Sequence, residues 1–176
     1  MKTSLLAALL VLFGISAVHA QEEALKKETV ELGVASSALD GALSPFIGYF
    51  FSDYVEGIIH VNRTSLEINL PDTGNDVDVR AVSVSADLVF NFPTNSRFVP
   101  LLGIGVFYSK VNENDITSDI TGMDLTAGFR YFFAERASVN IIASTAFLDT
   151  DVTNGSTISG DVEGTSIGLA YSIFFN

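Results

Sequence analysis

No cysteine occurs among the 176 residues, so a disulfide framework and thiolate chemistry are both excluded. Cations are scarce as well: nine lysines and arginines stand against twenty-one aspartates and glutamates. That balance argues against nucleic acid as a partner. The acidity is not a mark of disorder, because 48% of the chain is hydrophobic and aromatics are plentiful. Also missing, beyond the first twenty residues, is any apolar run approaching the ~20 residues of a membrane-spanning helix. If this chain crosses a membrane, it does so as strands.

The first twenty residues read as a cleaved signal peptide. Lys2 supplies a positive start, residues 5–15 an apolar stretch, and Ala17-Val18-His19-Ala20 a small-residue cleavage site. The apolar stretch is too short to span a bilayer comfortably. The predicted organisation is therefore 1–20 signal peptide, 21–28 a short charged periplasmic leader, and 29–176 a single domain.

What that domain has is alternation. In VEGTSIGLAYSIFF, residues 162–175, one face carries Gly164, Ser166, Gly168, Ala170 and Ser172, and the other Ile167, Leu169, Tyr171, Ile173 and Phe175. A soluble barrel turns its bulky residues inward. Small residues inside and bulky ones outside, with aromatics near the ends, are the pattern of a strand facing lipid. Eight such segments follow one another, at 29–39, 42–51, 54–68, 77–92, 98–111, 120–133, 137–150 and 162–175. Short connections at 52–53, 93–97 and 134–136 alternate with longer acidic ones at 69–76, 112–119 and 151–161, and only the first hairpin, around Asp40-Gly41, breaks the rule by being short on the outer side. Short periplasmic turns and longer outside loops are the expected topology of such a barrel, and an even strand count lets it close without an edge. The predicted fold is all-β, an eight-stranded antiparallel up-and-down transmembrane β-barrel.

Parity then sorts the side chains. Leu32, Ile47, Ile59, Val84, Ile104, Leu125 and Ile141 belong to the outward face, with Phe51, Phe92, Phe98, Phe133 and Phe175 in an interfacial girdle near the turns. Gly33, Gly48, Ser83, Gly103, Thr126 and Ser144 belong to an interior just wide enough to be filled by side chains.

The chain resembles the small eight-stranded outer-membrane β-barrel proteins, the outer-membrane protein A/X-like domain family. The likeness is carried by the signal peptide, by PFIGYFFSDYVEGI and LTAGFRYFFAERASVNI across two tight turns, by FVPLLGIGVFYSK, and by the last strand. It implies residence in the outer membrane of a Gram-negative bacterium. It also implies contact with lipids and lipopolysaccharide, and recognition by the barrel-assembly machinery through Gly168, Leu169, Tyr171, Ile173 and Phe175. Asn176 departs from the family, which usually ends on the aromatic itself.

Among residues that could carry chemistry, His60 is the only histidine after the signal peptide, on the inward face of the third strand. Some small outer-membrane barrels are lipid A deacylases, with a serine two residues from the histidine on one strand face. Here position 62 is asparagine and 58 isoleucine. The acidic loops match no calcium-loop spacing. Arg63, Arg80 and Lys110 fall on consecutive strands, outward and near the loop ends, where a cation costs little and suits lipopolysaccharide phosphates. Arg130 points inward with Glu31, Glu56 and Asp87 near its level, and a cation removed from water needs a partner.

The expectation is a non-enzymatic, monomeric barrel without catalytic, cofactor or metal residues, serving a structural or surface-interaction role or a narrow passive pore. Two alternatives are a lipid A-modifying hydrolase or acyltransferase, and a secreted soluble barrel that binds a small ligand.

Overall fold

The computed structural model describes residues 24–37, 43–69, 76–94, 96–113, 116–153 and 157–176. The signal peptide assigned to 1–20, the start of the leader and the first outer hairpin tip lie outside them. Eight strands run β1 Val30–Ser37, β2 Leu43–Phe50, β3 Val55–Asn69, β4 Asp76–Asn91, β5 Phe98–Glu113, β6 Ile116–Ala134, β7 Ala137–Thr153 and β8 Thr157–Phe175. Each pairs antiparallel with the next, and β8 returns to β1 through Val30 opposite Phe175 up to Ser37 opposite Gly168. The sheet is a closed barrel, so within the lipid no row of backbone groups is left at an edge.

The alternation along each strand sorts as expected. Leu32, Ile47, Ile59, Val84, Ile104, Leu125, Ile141 and Leu169 all project outward and are exposed. The turn-side aromatics form rows on the outer surface: Phe98 packs at 4.9 Å on Tyr131, Phe133 stacks at 5.8 Å on Tyr171, and Tyr49 meets Phe51 edge-on at 5.4 Å. A large apolar surface of this kind is stable only against hydrocarbon, which removes the soluble-barrel alternative.

The longer outer connections are shorter than expected. Strand β5 reaches Glu113 and β6 begins at Ile116, while β7 and β8 are separated by three residues. Ladders such as Lys110 opposite Asp119 and Asp151 opposite Ser159 continue through segments assigned to loops. The reason lies in composition: stretches such as ITSDITG and DTDVT alternate β-branched with polar residues, which extends a sheet into water as readily as in lipid.

Inside, two apolar clusters pack parts of the lumen. The lower, at the short-turn end, contains Ala24, Leu25, Phe50, Val99, Phe132 and Phe174. The upper contains Phe46, Ile58, Val89, Leu101 and Ala170.

Candidate functional site

Between and beside these clusters lies a buried ionic layer. Arg130 comes from β6, where the inward parity of Asp124, Thr126 and Gly128 carries it into the lumen just before the turn. Its Nη2 donates to Glu31 Oε2 at 2.8 Å and to Glu56 Oε2 at 3.1 Å, from β1 and β3. Neither carboxylate side chain has any solvent exposure, and that of Arg130 has 1%. Asn91 Nδ2 donates to the same Glu56 oxygen at 3.4 Å. The guanidinium also lies over the rings of Phe174 and Phe50, at 5.1 and 5.8 Å from their centroids. A dry cation is thus met by two anions and two π faces.

Asp87 does not belong to this layer, which corrects the expected four-membered network. Its Oδ2 is 3.5 Å from His60 Nε2 and accepts from Ser85 Oγ at 3.4 Å. Strands in a closed barrel are staggered, so counting residues from the turns misjudges height. Register places Asp87 opposite Gly105, which in turn faces Asp124, whereas Arg130 faces Val99 and Asn140.

Above the ionic floor a cavity of about 530 Å³ opens toward the long-loop end. Arg130 lies at its base, and His60, Asp87, Asp124, Ser144 and Ser166 on its walls. Gly105 makes room there: a side chain at that position would collide with Asp87 and Asp124, whose carboxylates converge over it. His60 stacks obliquely on Phe46 at 5.0 Å. Ser85, directly opposite His60, donates to Asp87 rather than to the imidazole. The chain of contacts runs serine, carboxylate, imidazole, so the hydroxyl is bonded to the carboxylate and not to His60.

Arg63, Arg80 and Lys110 are exposed on the outer face of β3, β4 and β5. Val82 stands between Arg63 and Lys110 in one row, and Arg80 faces Ser65 and Asn112. Asp119, opposite Lys110, accepts from Tyr108 Oη at 2.7 Å. Of the terminal residues, Leu169, Tyr171, Ile173 and Phe175 face outward along the seam with β1, with Gly168 turned in.

Sequence reasoning missed the leader. Ala24 and Leu25 are buried in the barrel mouth, and the one available signal was that they are the only apolar pair in QEEALKKE.

A closed eight-stranded barrel with a lipid-facing exterior, short turns at one end and a charged, layered lumen defines a class, the small transmembrane β-barrels. The chain belongs to the outer membrane protein β-barrel domain family, whose model matches residues 5–175. It is similar in fold to the N-terminal β-barrel domain of Pseudomonas aeruginosa OprF, with 16% identity over 85% of this chain and 98% of that one, at a TM-score of 0.59. Neisserial surface protein A is similar at 0.56, with 16% identity over 84% and 94% of the two chains. Pseudomonas aeruginosa OprG is similar at 0.53, with 16% identity over 85% and 98%. No curated protein matches the chain. The protein is an outer-membrane barrel.

Proposed function

We propose that this barrel is a non-enzymatic surface protein, closed at its periplasmic end, that presents an acid-walled vestibule and a cationic rim to the outside. The observation that carries the reading is the floor. Arg130, Glu31 and Glu56 are paired across the lumen without solvent exposure, directly beneath a cavity that opens outward. A pore would need a continuous aqueous path, and the apolar cluster below the floor interrupts it. Ser85 donates to Asp87 and not to His60, so these two residues do not form the serine–imidazole pair of a hydrolase, which supports a non-enzymatic role. The rim residues Arg63, Arg80 and Lys110 would hold lipopolysaccharide phosphates, and the outward row of β8 would serve recognition by the barrel-assembly machinery.

Liposome swelling tests the reading. Vesicles carrying the folded protein should admit glycerol and urea no faster than protein-free vesicles. Faster swelling would show a pore open at rest and overturn it. A comparison of lipid A masses between wild-type and deletion strains should show no change; a missing or added acyl chain in the wild type would establish an enzyme.

A further inference from the structure

The lower end of the lumen is stopped by a segment that is not part of any strand. Ala24 and Leu25 sit among Phe50, Val99, Phe132 and Phe174, side chains from β2, β5, β6 and β8. They arrive there by a tight reversal: Thr29 N–H donates to Lys26 O at 3.1 Å, and Glu28 N–H donates to Phe50 O at 2.8 Å. Phe50 N–H in turn donates to Thr29 O at 3.0 Å. The reversal holds Glu28 at φ 72°, a left-handed conformation that a glutamate adopts only under constraint from its surroundings.

Two polar contacts tether the segment. Lys27 N–H donates to Asp53 Oδ1 at 2.8 Å, and Thr29 Oγ1 donates to the Asn176 side-chain oxygen at 2.8 Å. The second contact joins the leader to the residue that follows the last strand.

The stopper is also coupled to the ionic floor. Phe50 and Phe174, which pack against Ala24 and Leu25 in the lower cluster, are the two rings over which the Arg130 guanidinium lies. The two rings thus stand between the leader and the guanidinium, so the leader and the ionic floor close the lower lumen as one packed unit.

We propose that residues 24–29 are a removable stopper, latched by Asn176, and that the barrel conducts small ions when it is withdrawn. The proposal rests on the reading of the barrel as closed at rest. Withdrawal exposes the lower cluster to water from below and frees the two rings that steady Arg130. The vestibule and the periplasmic mouth then join into one narrow path.

The experiment uses the folded protein in planar bilayers of phospholipid with potassium chloride, together with thiol labelling in proteoliposomes. The chain has no cysteine, so Ser172→Cys places a single thiol just above the stopper. Ser172 has no solvent exposure. Wild type should be closed nearly all the time, and its thiol protected from a charged maleimide. Deletion of residues 21–27, and Leu25→Ser in the full-length chain, should each raise open time and labelling rate by about tenfold or more, the shift expected once leucine burial no longer favours the closed state. Asn176→Ala should raise both by about fivefold, as for one lost hydrogen bond. Heat-modified migration in unboiled gels shows that each variant has folded, and Leu25→Ser stands in if the deletion does not. Folded variants that neither conduct nor label faster than wild type would overturn the stopper while leaving the closed barrel intact. A wild type that conducts steadily would overturn the closed reading itself.

Discussion

Removing the Arg130 side chain offers the most direct test of the lumen's electrostatics. In Arg130→Ala, the two carboxylates that share Nη2, at 2.8 and 3.1 Å, face each other with no cation between them and no exposure to water. Breaking a buried pair by deleting one partner costs about 3–5 kcal/mol, because the remaining charge stays desolvated. Loss of the guanidinium from above Phe174 and Phe50 removes a further ~1 kcal/mol or more. The expected destabilisation is therefore about 4–6 kcal/mol. The measurement is urea unfolding in lipid vesicles, followed by far-ultraviolet circular dichroism and by the heat-dependent gel shift. A second variant separates charge from volume: Arg130→Met combined with Glu31→Gln and Glu56→Gln retains much of the bulk and removes every charge of the layer. It should recover more than half of the loss, since replacing buried ions by neutral groups of similar size is often close to neutral. An Arg130→Ala variant within about 1 kcal/mol of wild type would refute the reasoning, placing Arg130 in the range of a solvated surface pair. Equal loss in the single and triple variants would assign the effect to packing instead of charge.

Three further outcomes follow from other parts of the barrel. Leu169→Arg puts a cation on the lipid face of β8 and should cost about 2–4 kcal/mol in vesicle unfolding near the bilayer midplane, and a tolerated change would reverse the face assignment. Gly128→Ala should cost about 1–3 kcal/mol, because the added methyl group meets the backbone of Ile141 and Ile142. Gly164→Ala, where nothing lies within 4 Å, should be near neutral, and the reverse order would contradict the packing described. The combined Arg63→Ala, Arg80→Ala and Lys110→Ala variant should bind vesicles containing phosphorylated lipid A more weakly, with binding to dephosphorylated lipid A unchanged; equal losses would remove the phosphate reading.

The face of nearly every strand was legible because a lipid-facing strand has a period of two and lipid tolerates no exception near its centre. Ile104 and Gly105 are adjacent in sequence and lie on opposite sides of the wall for that reason. The Arg130 pairing with Glu31 and Glu56 was legible for a related one, since an inward cation in a narrow lumen has few partners to choose from. Height was not legible. Counting from the turns puts Asp87 level with Arg130, and the stagger of the closed sheet carries it instead to His60, opposite Gly105. The leader was missed because Leu25 is buried by four side chains from four separate strands, none adjacent to it in sequence. Acidity marks 112–119 and 151–161 as loops in the sequence, whereas alternating β-branched and polar residues sustain a ladder through them.

The long strands bear on how the molecule sits in its bilayer. Strands β6, β7 and β8 run for nineteen, seventeen and nineteen residues. At ~3.3 Å per residue and a tilt of about 40°, seventeen residues rise roughly 43 Å, against an apolar band of ~25 Å. The ladder between β7 and β8 is continuous up to Thr153 opposite Thr157. On that side the wall stands well clear of the hydrocarbon, and what it offers to the surroundings there is paired sheet.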